Sequence, residues 1–191
     1  FQYTNVNYPF PYNPPYVPNQ NPTYHYRRKF DLKKADQKYY LNFEGVDSCF
    51  YLYVNDRFVG FSQIAHRQSE FDVTDYLTDG ENKLDVLVLK WCMGSYLEDQ
   101  DKLRFTGIFR DVYLLSRPAG HVVDYKIQTA LDGTVTFTLL DGTEATVSLL
   151  GEEKKVSAGK TVTFKVKDPI LWSAENPYLY DMTITYKDEV I

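Results

Sequence analysis

Histidine, cysteine and basic clusters are all scarce in this sequence of 191 residues, and each shortage removes a class of function. The three histidines, His25, His66 and His121, stand far apart, and no paired His or Cys spacing suits zinc. Each therefore reads as a surface or core residue. The two cysteines, Cys49 and Cys92, sit in apolar stretches, whereas a secreted disulfide scaffold carries more of them at tighter spacing. They read as buried reduced thiols, a usage that favours the cytoplasm. The longest basic run is Arg27-Arg28-Lys29 and the net charge is −5, so the basic face required by a nucleic-acid partner is missing. No apolar stretch approaches transmembrane length and no charged-then-apolar leader opens the chain, so no membrane partner is expected. The chain opens on Phe1 rather than Met and reads as a fragment. A Gly-rich phosphate loop, a nucleophile elbow and a dinucleotide fingerprint are all absent.

Aromatic residues are abundant. With 17 Tyr and 12 Phe, 43% hydrophobic and 25% charged residues, the composition is that of a soluble globular protein rather than a disordered one. Residues 8–22 are rich in Pro, Asn and aromatics; Pro removes backbone donors and biases its predecessor toward extended geometry, so an extended arm is expected. Its aromatics should pack along the domain that follows.

From Tyr24 the pattern is β, with a period of about two through Phe30. Tyr39 to Phe43 and Cys49 to Val54 read as strands, with Asn55-Asp56 as a two-residue hairpin turn. Thr74 to Leu77 reads as a short turn of helix, and Lys83 to Trp91 as the clearest buried strand. A polar loop of about 20 residues, Cys92 to Asp111, leads to a strand at Val112 to Leu115. Arg117-Pro118-Ala119-Gly120 reads as a domain boundary. Beyond it, Asp132-Gly133 and Asp141-Gly142 are turn signals between short alternating runs, as in an immunoglobulin-like sandwich. The chain stops at Val190-Ile191 inside a hairpin pattern, so the second domain reads as cut short. The fold class expected is all-β, with a first domain over 1–118 and a second over 119–191. Trp91 and Trp172 each close an apolar run and read as core residues.

The 92–111 loop holds Glu98, Asp99 and Asp101 within four residues. Three carboxylates so close repel one another and need a cation, basic partners or solvent to stay ionised. Two readings stand: a solvated acidic turn neutralised by Lys102, Arg104 and Arg110, or an oxygen-ligand site for a hard cation with Asp101 as ligand. Neither makes a glycoside-cleaving pair, because two acids on one polar loop do not have the divided environments such a pair needs.

Several segments carry a family resemblance. Asn13-Pro14-Pro15-Tyr16-Val17-Pro18, Phe43-Glu44-Gly45-Val46-Asp47-Ser48, Val54-Asn55-Asp56-Arg57-Phe58-Val59-Gly60 and Ser69-Glu70-Phe71-Asp72 resemble glycoside hydrolase family 2 β-galactosidases. So do Gly94-Ser95-Tyr96-Leu97-Glu98-Asp99-Gln100-Asp101, Gly107-Ile108-Phe109-Arg110-Asp111-Val112 and Trp172-Ser173-Ala174-Glu175-Asn176-Pro177-Tyr178-Leu179-Tyr180. The resemblance implies a jelly-roll, galactose-binding-like β-sandwich followed by an incomplete immunoglobulin-like β-sandwich. It also implies a parent hydrolysing terminal β-D-galactosides such as lactose, with both catalytic glutamates on a (β/α)₈ barrel that nothing here matches. Within these residues it assigns substrate contacts to Asn13 and Asp101, and a sodium ligand to Asp101. It admits magnesium and a homo-oligomer in the full-length enzyme, and implies no cofactor and no activity for this fragment alone. An autonomous carbohydrate-binding module and an assembly domain are the competing readings. The first of these would need an exposed aromatic platform, whereas the aromatics here alternate as core.

Overall fold

Strands make up nearly all the regular structure in the computed structural model, which describes residues 2–3, 9–98 and 103–191. The chain divides into two units, Phe1–Ser116 and Arg117–Ile191.

The first unit holds β1 (Gln2–Tyr3), β2 (Thr23–Leu32), β3 (Gln37–Phe43), β4 (Val46–Asp47), β5 (Cys49–Val54) and β6 (Arg57–Ser62). It continues with β7 (Ser69–Asp72), β8 (Gly80–Leu89), β9 (Leu103–Arg104), β10 (Gly107–Ile108) and β11 (Val112–Pro118). A four-stranded sheet in the order β2-β8-β5-β6 and a three-stranded sheet β11-β3-β7 supply the core; β1-β9 and β4-β10 are short bridges. Alternation decides which side chains enter the core. On β5, Phe50, Leu52 and Val54 are at most 2% exposed, while Tyr51 between them is 37% exposed. They meet Tyr39, Leu41 and Phe43 of β3 and Val86 and Val88 of β8. This is the β-sandwich expected of a jelly roll.

Asn55 and Asp56 take φ of 50° and 63°, as a two-residue hairpin turn requires, and β5 pairs with β6 across them. Residues 74–76 form the single turn expected, closed by the Tyr76 and Leu77 amides donating to the Val73 carbonyl. Next to it, fully buried Asn82 joins three segments. Its Oδ1 accepts from Asn55 Nδ2 (2.9 Å) and Thr78 N (2.8 Å), and its Nδ2 donates to the Thr78 and Gly80 carbonyls.

The second unit holds β12 (Asp124–Thr129), β13 (Thr134–Asp141), β14 (Glu144–Leu149), β15 (Glu152–Ser157), β16 (Thr161–Lys165), β17 (Met182–Tyr186) and β18 (Glu189–Val190). Sheets β12-β13-β16 and β15-β14-β17-β18 enclose Phe137, Leu139, Val147, Phe164 and Ile184, a three-plus-four sandwich of immunoglobulin type. Asp132-Gly133 closes the β12–β13 hairpin as expected. Asp141-Gly142 does not make a hairpin: β13 and β14 belong to different sheets, so the chain crosses the sandwich there. Gly142, at φ 131°, lets the crossing run close to the His121 carbonyl, which a Cβ would approach to 2.8 Å. The final hairpin is held by Arg117, whose Nε and guanidinium NH₂ both donate to Glu189, at 2.7 and 2.8 Å.

Trp172 corrects the expectation of core packing: it is 62% exposed, and its segment carries no strand. The segment makes local turn contacts instead, Ser173 N donating to the Asn176 carbonyl and Asn176 N to the Ser173 carbonyl. Leu131, Leu171, Trp172 and Leu179 instead border an open apolar cleft of about 610 Å³ within this unit.

Candidate functional site

The two site residues expected from the sequence lie on different segments, the Pro-rich arm and the 92–111 loop, and the structure joins those segments. Phe10 is buried, its ring 4.9 Å from Trp91 and 5.2 Å from Tyr96. Asn21 clamps the end of the β8 segment, its Nδ2 donating to the Trp91 carbonyl at 2.8 Å and its Oδ1 accepting from Trp91 N at 2.9 Å. Lys90 N donates to the Pro22 carbonyl beside it. Trp91 is half-buried in this seam, not in the sandwich core. The arm is therefore fixed, although only part of its aromatic content packs. Tyr12 offers one edge to Tyr96 while 73% exposed, and Tyr16 is 71% exposed.

Asn13 sits on a tight turn closed by Tyr16 N donating to the Asn13 carbonyl at 2.9 Å, with Pro14 and Pro15 between. The Asn13 amide N–H donates to the Tyr96 hydroxyl at 3.2 Å, and that hydroxyl donates to the Tyr16 carbonyl at 2.5 Å. The Asn13 side chain caps nothing among the described residues; the residue is exposed, and its side-chain amide is open to a ligand. Such an amide both donates and accepts, as a sugar hydroxyl does.

The loop begins as a short 3₁₀ helix, Met93–Tyr96. Gly94 is required there by close approach, since a Cβ would come within 2.9 Å of the Gln63 carbonyl. Glu98 is half-buried, its Oε1 accepting from Ala65 N at 2.9 Å, so it belongs to the loop's anchorage rather than to a solvated acidic turn. Arg104 is buried and donates to the Ser95 carbonyl. Arg110 donates to the Glu44 and His66 carbonyls. Asp99, Asp101 and Lys102 lie outside the described residues, so the two readings of Asp101 stand as they did.

Among the described residues no group of three or more His, Cys, Asp or Glu could hold a metal ion. His25 lies 2.5 Å from Asp85, His66 packs on Phe109, and buried His121 places Nδ1 3.0 Å from the Pro118 carbonyl. No helix among the described residues is long and apolar enough to cross a membrane. On the outer face of the four-stranded sheet Tyr51, Phe58 and Phe61 are 37%, 53% and 40% exposed, so not every aromatic alternates into the core. Their planes are tilted by about 45° to one another across Tyr51, which gives no flat platform for stacking a sugar ring.

Tyr96 and Asn21 are the positioning residues that sequence reasoning missed. Tyr96 lies inside the motif that carries the resemblance, and Asn21 precedes Pro22, but neither position says which distant segment it holds.

Residues 1–118 match the sugar binding domain of the glycosyl hydrolases family 2, and residues 114–191 match a further glycosyl hydrolases family 2 domain. The chain belongs to glycosyl hydrolase family 2. A family 2 relative, the beta-galactosidase of Actinobacillus pleuropneumoniae, is 49% identical over 200 residues, covering 99% of this chain and 20% of the relative. The beta-galactosidase of Staphylococcus xylosus is 46% identical over 204 residues, covering 100% of this chain and 20% of its own. The chain thus spans about a fifth of the length of these relatives. Among solved structures, a beta-glucuronidase of an uncultured Clostridium sp. superposes with a TM-score of 0.67 at 22% identity, over 87% of this chain and 33% of its own. A beta-glycosidase from Bacteroides vulgatus gives 0.64 at 22% identity, over 88% and 24%. At that identity the likeness establishes the fold alone.

Proposed function

We propose that these two family 2 domains form the non-catalytic, substrate-positioning part of a retaining β-galactosidase acting on terminal β-D-galactosides such as lactose. The catalytic carboxylates belong to a barrel beyond these residues, and the arm and loop reach toward it. In this reading the Asn13 amide hydrogen-bonds the galactosyl unit and the Asp101 carboxylate contacts it while ligating sodium. A bound cation there would keep the carboxylate ionised and its orientation fixed. The observation that carries the proposal is the near-complete alignment with beta-galactosidases at 49% and 46% identity. The seam of Phe10, Asn21, Trp91 and Tyr96 supports it, because it presents an exposed Asn13 amide on a turn that two prolines stiffen. Two buried thiols are in keeping with a cytoplasmic protein.

The test is hydrolysis by the full-length parent of paired chromogenic substrates, a β-galactoside and a β-glucuronide. Turnover of the galactoside, with at most trace turnover of the glucuronide, is expected; the reverse preference overturns the reading. The 191-residue chain alone should turn over neither, since a retaining site needs two carboxyls about 5–5.5 Å apart across the bond.

A further inference from the structure

Burial stops abruptly at one edge of the four-stranded sheet in the first unit. Directly opposite residues of paired strands share a face. Tyr26 of β2 pairs with Val86 of β8, which pairs with Leu52 of β5, so all three look into the sandwich. Their exposures are 38%, 1% and 0%. The next row repeats the pattern, with Tyr24 at 42%, Val88 at 0% and Phe50 at 2%. Arg28, in register with Leu84 on the same face, is exposed and makes no hydrogen bond or ion pair among the described residues. Its neighbours Arg27 and Lys29, on the outer face, pair with Asp85 and Glu81. The inward face of β2 points to the core, yet nothing covers it.

Between β2 and β11 the sandwich stands open as an apolar cleft of about 500 Å³. Tyr26, Arg28 and Phe30 line it from β2, Val112 and Leu114 from β11, and the buried core residues Phe43 and Val86 reach it too. The facing sheets differ in strand number. β2 ends a row of four strands, whereas β11 ends a row of three, its outer edge unpaired among the described residues. A jelly roll has eight strands in two sheets, and the two core sheets here hold seven. A strand added beside β11 would lie over the uncovered face of β2.

We propose that a β-strand of the parent polypeptide, from outside these 191 residues, fills this cleft. It hydrogen-bonds to the free edge of β11 and lays its apolar face on Tyr26, Phe30 and Leu84. Strand addition satisfies a bare edge through main-chain hydrogen bonds, while alternate side chains supply the apolar contact. The parent has the chain to supply it, since these residues span about a fifth of the relatives' length. A second copy or a foreign protein fits less well, because the cleft opens onto the domain's own core. A core is closed most reliably by a segment present whenever the domain folds. The first unit is thus completed by sequence outside it, whichever glycoside the parent cleaves.

The test uses the full-length parent carrying Arg28→Cys or Lys29→Cys, adjacent positions on opposite faces of β2, with an unchanged melting temperature as the control of fold. Maleimide labelling of the folded protein, read by peptide mass, should be more than about tenfold slower at position 28 than at position 29. Equal rates mean an open cleft and overturn the proposal. The photo-cross-linker p-benzoylphenylalanine, placed at position 28, should link within one polypeptide to a peptide outside residues 1–191 in which apolar and polar residues alternate. From position 29 it should not reach that peptide. A link to a second copy, to another protein or only within residues 1–191, or no link at all, overturns the proposal. Native hydrogen exchange of the parent should be slow at every amide of residues 113–116, as in a strand paired on both sides. Fast exchange at alternate amides means that β11 is still an edge and equally overturns it.

Discussion

The Tyr96 hydroxyl accepts a hydrogen bond from Asn13 N at 3.2 Å, although 83 residues separate the two in the chain. The same hydroxyl donates to Tyr16, so one oxygen braces both ends of the Asn13 turn. Tyr96→Phe keeps the ring against Phe10 and Tyr12 and removes only this brace. The cost in global stability should be about 1 kcal/mol, because the turn is exposed and water replaces the lost partner. Hydrogen exchange at residues 13–16 should accelerate well beyond that of the sandwich strands. In the full-length parent kcat/KM should fall several-fold with little change in melting temperature. An unchanged exchange rate across the turn would remove Tyr96 from the positioning role.

Asn82 carries a larger share of stability than its polar side chain suggests. Replacing it by Leu removes the acceptor of the Thr78 amide and one of two acceptors of Asn55 Nδ2, which keeps the Tyr76 carbonyl, and leaves the Thr78 and Gly80 carbonyls without their donor. Water can reach the exposed Thr78 and Gly80 groups, so Asn82→Leu should lose about 1–3 kcal/mol in urea unfolding. A loss below about 1 kcal/mol would mean that the network relaxes around the leucine.

Period-two patterning made the sandwich strands legible, because each strand with one buried face shows it in its own residues. Phe50, Leu52 and Val54 against Tyr51 are an example. The turn signal at Asp141-Gly142 was legible as a turn but not as a sheet-to-sheet crossing, because which sheet receives β14 is decided by partners far along the chain. Trp172 misled for a related reason: an apolar run shows hydrophobicity, not whether a partner strand lies beside it. As a candidate sugar contact Asn13 rests on resemblance alone, since an Asn before two prolines equally suits a plain turn. The contacts that fix its arm, Tyr96 to the Asn13 turn and Asn21 to Trp91, are long-range and leave no local pattern.

Asp85 should make the first unit sensitive to acid. Burial alone would raise its pKa, but hydrogen bonds from Arg27 and His25 and the charge of Lys83 outweigh this and lower it. A carboxylate with a depressed folded pKa contributes stability above its unfolded value, about 3.9, and loses it as pH falls through the folded value. Melting of wild type and Asp85→Asn should therefore differ most near neutrality, and the gap should close progressively below about pH 4. Asp132, lowered to about 2 by Lys165 and the Thr134 amide and hydroxyl, offers a comparison in the second unit. A gap that stays constant down to the lowest pH at which the chain folds would show that Asp85 acts through shape rather than charge.

Asn13 and Asp101 should separate cleanly in the full-length parent. Asn13→Ala removes neutral hydrogen bonds worth about 0.5–1.5 kcal/mol each, and its side chain supports no described contact, so the fold should be untouched. Asp101→Ala removes a charge, a sugar contact and the proposed sodium ligand together, at about 1.5–3 kcal/mol or more. At about 1.4 kcal/mol per factor of ten, that predicts roughly a tenfold loss of kcat/KM for Asn13→Ala and roughly a hundredfold loss for Asp101→Ala. Contacts beside the reacting sugar strengthen as it distorts, so kcat should fall along with kcat/KM for Asp101→Ala. Raising sodium should rescue wild type from depletion and leave Asp101→Ala unimproved. Steady-state kinetics at matched sodium, with thermal melts as controls, decides the matter: wild-type kinetics in Asp101→Ala would remove that residue from the sugar site altogether.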